Sequence, residues 1–150
     1  MRTVLFRGRH EHAIDEKGRL SIPSKFREII TENHGGRLIL TNLPRCLVVY
    51  TPEEWEIIES KASRLSTLKA NAQGFLRYFY SGATECDLDK QGRILIPPTL
   101  RSAAGLDRQV VIAGMLNKIE IWSQERWNEE IQRAVDSFDQ ISEELADFGL

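Results

Sequence analysis

Cysteine, histidine and proline are scarce in this 150-residue chain, with two, three and five copies respectively. Cys46 and Cys86 share no CxxC spacing and sit in apolar runs, so a disulfide scaffold is excluded and both read as core-filling thiols. A metal site built from His10 and His12 with His34 or Cys46 competes with ordinary hydrogen-bonded histidines; the second reading is preferred, and no metal or other cofactor is expected. No apolar run approaches the roughly 20 residues of a membrane span. Met1–Arg7 lacks a signal peptide's apolar region and cleavage site, so the expected location is the cytosol, with no membrane partner. Nucleophile elbow, P-loop and dinucleotide fingerprint are all missing. Glu11 and Glu85 are a repeated carboxylate pair that alternates with basic residues, which suits internal ion pairs better than acid–base catalysis. The chain is therefore read as no enzyme, with no small-molecule substrate evident.

A strong net charge is also lacking, the balance being −2. With 41% hydrophobic residues the chain can bury a core, which excludes disorder. The small net charge hides an asymmetry. Residues 1–45 carry nine Lys/Arg against five acids, 46–122 balance at nine each, and 123–150 carry two against eight. Positive charge at the N-terminal end keeps an anionic ligand in play.

What the chain does have is a repeat. At a shift of 74 residues, Phe6–Arg27 aligns with Tyr80–Arg101, and eight of the 22 positions are identical. Leu47–Trp55 matches Ile119–Trp127 at a shift of 72. Each copy reads as β-β-α-β-β followed by a helix. First strands are predicted over 6–14 and 80–88, then an Asp-x-x-Gly-Arg turn in which Gly18 and Gly92 supply positive φ. Second strands follow at 19–22 and 93–96, closed by Pro23 and Pro97 at helix starts. Thr51-Pro-Glu-Glu54 is a capping box, and Ser123 holds the matching position. A last helix over about 124–147 should be acidic outside, with Trp127, Ile131, Val135, Phe138 and Ile141 inside. The expected class is α+β, mainly β with short helices, as two pseudo-twofold halves with a long C-terminal helix. Its organisation is a first repeat over 6–54, inter-repeat helices over 55–79, a second repeat over 80–127 and an acidic helix over 128–150.

The repeated Gly, Ile and Pro positions are structural, and Asp15, Gly18, Asp89, Gly92 and Arg93 form the repeated turn motif. An Asp–Arg pair closing a turn competes with a guanidinium presented to phosphate or to a guanine edge. Charge discriminates between the copies. Residues 6–27 carry six bases against three acids, whereas 80–101 carry three against three. The anion-binding surface is therefore placed on the first copy, at Arg7, Arg9, Lys17, Arg19 and Lys25, with the second copy as an architectural partner. Arg27 recurs as Arg101, which favours an intramolecular role for both.

Two copies of [Phe/Tyr]-x-Gly-x-x-Glu-x-x-x-Asp-x-x-Gly-Arg-x-x-Ile-Pro-x-x-x-Arg resemble the bacterial MraZ proteins, tandem relatives of the AbrB/SpoVT swapped-hairpin domains. The resemblance implies a swapped-hairpin barrel in each half and assembly into a ring-shaped homo-oligomer. It also implies a nucleoid-associated, sequence-specific regulator binding double-stranded promoter DNA at tandem short G-rich elements of the division and cell-wall gene cluster, with Arg19 as the DNA contact. A protein-interaction or antitoxin-like adaptor, using the acidic terminal helix and reading no DNA sequence, is the rival expectation.

Overall fold

The alternation Phe6-Arg-Gly-Arg-His-Glu-His puts Phe6, Gly8, His10 and His12 on one side of a strand and Arg7, Arg9 and Glu11 on the other. The computed structural model describes residues 5–66 and 68–150; Met1–Val4, most of the segment read above for a signal peptide, lie outside them. The first copy contributes β1 (Phe6–Ala13), β2 (Arg19–Ser21), α1 (Ser24–His34), β3 (Ile39–Asn42), β4 (Leu47–Tyr50) and α2 (Pro52–Ala62). A connector made of α3 (Ala70–Phe75) and a π-helical turn, Leu76–Tyr80, follows. The second copy repeats the order as β5 (Thr84–Glu85), β6 (Arg93–Leu95), α4 (Pro98–Ala103), β7 (Gln109–Leu116), β8 (Lys118–Ser123) and α5 (Gln124–Asp136), and the chain closes with α6 (Phe138–Leu145). Thr51 Oγ1 accepts from the Glu54 amide, and Ser123 Oγ from the Arg126 amide, so both expected caps form. Gly35, at φ +62, ends α1 in the left-handed conformation.

Among the described residues, four of the six ladders join one copy to the other. β1 pairs with β7, β5 with β3, β4 with β8 and β2 with β6, all antiparallel; only the β3–β4 and β7–β8 hairpins stay within a copy. The result is an open six-stranded sheet in the order β1-β7-β8-β4-β3-β5, with β2–β6 as a separate two-stranded ribbon. Between sheet, ribbon and helices lies a core built from repeat-related residues: Leu20 with Ile94, Ile22 with Ile96, Phe26 with Leu100, Leu40 with Ile112 and Val49 with Ile121. A smaller cluster, Val48, Tyr50, Trp55 and Phe79, fixes α2 and the π-helical turn to the outer sheet face.

Three expectations are corrected. Neither half closes into a barrel, because β1 and β5 remain the edges of the six-stranded sheet and β2 and β6 pair with each other in a separate ribbon. The strand expected over 80–88 shrinks to Thr84–Glu85, since the π-helical turn runs to Tyr80 and Gly82 is wedged against the Tyr78 carbonyl and Asn42. The terminal helix breaks at Ser137 (φ −105, ψ 9), and none of its apolar residues is buried. Val135 and Phe138 are 62% and 60% exposed because, among the described residues, no other element covers them.

Burial makes the two thiols inert. Cys46 and Cys86 are free and buried, and desolvation pushes each thiol up to about 12. Neither is expected to react with a disulfide reagent at pH 8 in the native protein, while both react in denaturant; fast native labelling would contradict this packing.

Candidate nucleic-acid interface

The Asp-x-x-Gly-Arg spacing is that of an aspartate folded back over its own turn. Asp15 Oδ1 accepts from the amides of Lys17 and Arg19, each at 2.9 Å, while Oδ2 takes the Arg19 Nε–H at 2.6 Å. Gly18 stands at φ +85 in this turn. The second copy reproduces it: Asp89 Oδ1 accepts from Gln91 and Arg93 amides, Oδ2 from Arg93 Nε at 2.9 Å, with Gly92 at φ +76. These bonds, led by the arginine amide, hold both carboxyls below the usual carboxylate range.

A depressed folded-state pKa gives stability that is present above the unfolded value, near 4, and lost as pH falls through the folded one. The urea midpoint of the wild type is therefore expected to fall across the acid limb below about pH 4. An Asp15→Asn/Asp89→Asn variant should start lower at pH 7 and show a flatter limb; parallel limbs would remove the two carboxylates from the account.

In the ribbon, Leu20 faces Ile94 across the centre, while Arg19 lies opposite Leu95 and Ser21 opposite Arg93. Leu20 and Ile94 point into the core, so alternation sends Arg19, Ser21, Arg93 and Leu95 to the solvent side. Arg19 and Arg93 are diagonal neighbours on adjacent strands, a relation that sets Cβ atoms about 7–8 Å apart. Each is held at Nε by its aspartate, and among the described residues nothing bonds their Nη groups. The result is two oriented guanidinium forks on one exposed face.

The turns are braced reciprocally. Arg27 lies against Gly92, where any Cβ would fall 2.2 Å from its Cδ, and donates from Nη1 to the Gln91 carbonyl. Arg101 lies against Gly18 in the same manner. The intramolecular role expected for this pair is confirmed, but each arginine braces the turn of the other copy.

The remaining candidates separate. Lys17 is exposed on the Asp15 turn. Arg7, Arg9 and Lys25 line a cleft beside Phe26 along the edge of β1. Arg9 also stands over the Trp127 ring of α5 at 5.5 Å, on the sheet face opposite the core. The cationic excess of the first copy thus belongs to the β1 edge and α1, since the two turns are alike. His10 packs edge-on against Phe26, His12 Nδ1 donates to the Ser21 carbonyl at 2.7 Å, and His34 pairs with Glu53 at 2.6 Å. No group of three or more potential metal ligands occurs among the described residues. Two features went unread in the sequence: Arg93 on the same face as Arg19, and Arg45 bridging Glu129 and Glu130 of α5. The repeat signalled the first; nothing local signals the second.

Fold and site together define a tandemly duplicated protein whose β-β-α-β-β units interleave about a pseudo-twofold axis and display two aspartate-held arginines. Comparison with known proteins agrees. The family described as "MraZ protein, putative antitoxin-like" matches residues 5–78 and again 79–149. A transcriptional regulator MraZ of Syntrophobacter fumaroxidans is 46% identical over 145 residues, covering 97% of each chain. Proteins of the same name from Ligilactobacillus salivarius and Pediococcus pentosaceus are each 44% identical over 146 residues, covering 97% of this chain and all of theirs. The chain belongs to the MraZ family, whose curated relatives are named transcriptional regulators.

Proposed function

We propose that this protein is a DNA-binding transcriptional regulator that presents the exposed face of its β2–β6 ribbon to double-stranded promoter DNA. The observation that carries the reading is the pair of guanidinium forks, Arg19 and Arg93, pre-oriented by Asp15 and Asp89 on one face. Such a fork matches the O6 and N7 acceptors of guanine, which suits short G-rich elements. Lys17 supplies a phosphate contact beside Arg19, and Arg7, Arg9 and Lys25 supply further ones along the β1 edge. A protomer then neutralises roughly three to five phosphates, and log K falls by about 0.9 per log unit of salt for each one. A ring of protomers on tandem elements gains affinity through effective concentration. The target that fits the family resemblance is the promoter of the division and cell-wall gene cluster, read by a cytoplasmic, nucleoid-associated ring.

The test is a nuclease footprint on the promoter region upstream of the protein's own gene. Regularly spaced protection that weakens with salt is the expected result. A protein that protects no DNA but elutes with a bound polypeptide would instead be the antitoxin-like adaptor.

A further inference from the structure

Four side chains leave the solvent face of the β2–β6 ribbon, and the repeat sets them in pairs. The shift of 74 residues carries Arg19 onto Arg93 and Ser21 onto Leu95. The ladder places Arg19 opposite Leu95 and Ser21 opposite Arg93, so the two arginines occupy one diagonal of the face and Ser21 and Leu95 the other. The arginine diagonal obeys the pseudo-twofold, because each guanidinium is held by the aspartate of its own turn. The second diagonal breaks it: a small hydroxyl stands at one end and a leucine, 58% exposed, at the other.

This face is tied down at both ends. Beyond the paired strands, the Ile22 amide donates to the Gly92 carbonyl at 3.0 Å and the Ile96 amide to the Gly18 carbonyl at 2.8 Å, which joins each end of the ladder to one of the two turns. Leu20 and Ile94, both buried, anchor the ribbon from the core side. An exposed leucine elsewhere on a surface is ordinary. Here it faces Arg19 directly, a relation that sets Cβ atoms about 4.5–5.5 Å apart, so it meets the same surface that Arg19 meets.

In the major groove the donors and acceptors of the base edges are interrupted by one apolar group, the C5-methyl of thymine. Setting a leucine on any other edge strips water from polar atoms that it cannot satisfy, whereas the thymine methyl gains apolar contact. The geometry points to Leu95 as a specificity-determining residue that reads the 5-methyl group of a thymine near the guanine held by Arg19. This rests on the ribbon reading proposed above and extends it to a second base. A separation of about 5 Å spans one to two base-pair steps of about 3.4 Å, which sets the distance between the two bases. Ser21, at the matching place beside Arg93, offers a hydroxyl that suits donors and acceptors alike. The two ends of the ribbon therefore read differently, and an element bound by it has a direction.

The test pairs a change in the protein with a change in the DNA. Fluorescence anisotropy follows the full chain on the promoter duplex protected in the footprint, on a scrambled duplex, and on a promoter duplex in which deoxyuridine replaces every thymine of the protected elements. That replacement removes the methyl and keeps every donor and acceptor. The wild type is expected to bind the deoxyuridine duplex about fourfold more weakly for each element engaged, the worth of one buried methyl. Leu95→Ala and Leu95→Ser, each checked for native circular dichroism and wild-type mass, should be weaker than the wild type on the thymine duplex by at least as much and should bind both promoter duplexes alike. Their dependence on salt should match that of the wild type, because no phosphate contact is lost. A wild type indifferent to the methyl, variants as tight as the wild type on the thymine duplex, or variants that still lose affinity on the deoxyuridine duplex each overturn the role of Leu95 and leave the arginine reading standing. A wild type that does not distinguish the promoter duplex from the scrambled one overturns both.

Discussion

Arg19→Ala is expected to weaken specific DNA binding about 10- to 100-fold per site, the loss that accompanies one bidentate base contact. In the proposed ring, where several protomers engage several elements at once, these losses multiply and retention in a gel-shift assay should vanish altogether. The melting temperature should barely move, since the side chain is half-exposed and its loop retains the Asp15 bonds to the Lys17 and Arg19 amides. Arg19→Lys separates the contributions: it keeps the charge and loses the planar fork, so salt sensitivity should persist while discrimination between G-rich and scrambled duplexes falls. The geometry of Arg93 supports a reading of it as a DNA contact besides its place in the turn. Its bonds and its face are those of Arg19, so a folded Arg93→Ala protein is expected to lose affinity as well. Undiminished binding by Arg19→Ala would remove the ribbon face from the DNA interface.

The second large effect concerns stability. Gly114 lies opposite Gly8 in the β1–β7 ladder, and a Cβ there would sit 2.4 Å from the Arg7 amide nitrogen and 2.7 Å from the Arg7 Cα. These are backbone atoms of the facing strand, which cannot turn aside as a side chain can. Gly114→Ala must push β1 from its partner, withdrawing Phe6 from the core and Arg9 from Trp127. A cost of about 2–3 kcal/mol follows from overpacking of this kind, a fall of roughly 5–10 °C in melting temperature for a chain this size. Gly74, inside α3 with open space around it, is the internal control: Gly74→Ala should be neutral or stabilising, as alanine is the better helix former. A Gly114→Ala melt that overlays the wild type would refute the close strand approach.

What was legible in the sequence was what neighbouring residues decide. The Asp15 and Asp89 turns, the positive φ of Gly18 and Gly92, the caps at Thr51 and Ser123 and the β-β-α-β-β order all follow from residues within a few positions of each other. Strand partners do not. Nothing in Phe6–Ala13 announces that it pairs with Gln109–Leu116 rather than with the strand that follows it. Parity correctly grouped Arg7 with Arg9, but only the position of Trp127 shows which layer that face meets. The terminal helix misled for a related reason: an apolar stripe at helical spacing states that a face can be covered, and does not state that this chain's own core covers it.

Interleaving also has a consequence for the chain at birth. β1 leaves the ribosome about 100 residues ahead of β7, which at roughly 5–20 residues per second is a wait of several seconds. For most of it, until Thr84–Leu95 has emerged, β2 lacks β6 and β3 lacks β5, and among the described residues the ladder available is the β3–β4 hairpin. The first repeat therefore cannot mature as a folding unit of its own. A nascent chain stalled before Gln109 displays Phe6–Ala13 as an unpaired edge, open to the same strand from a neighbouring ribosome.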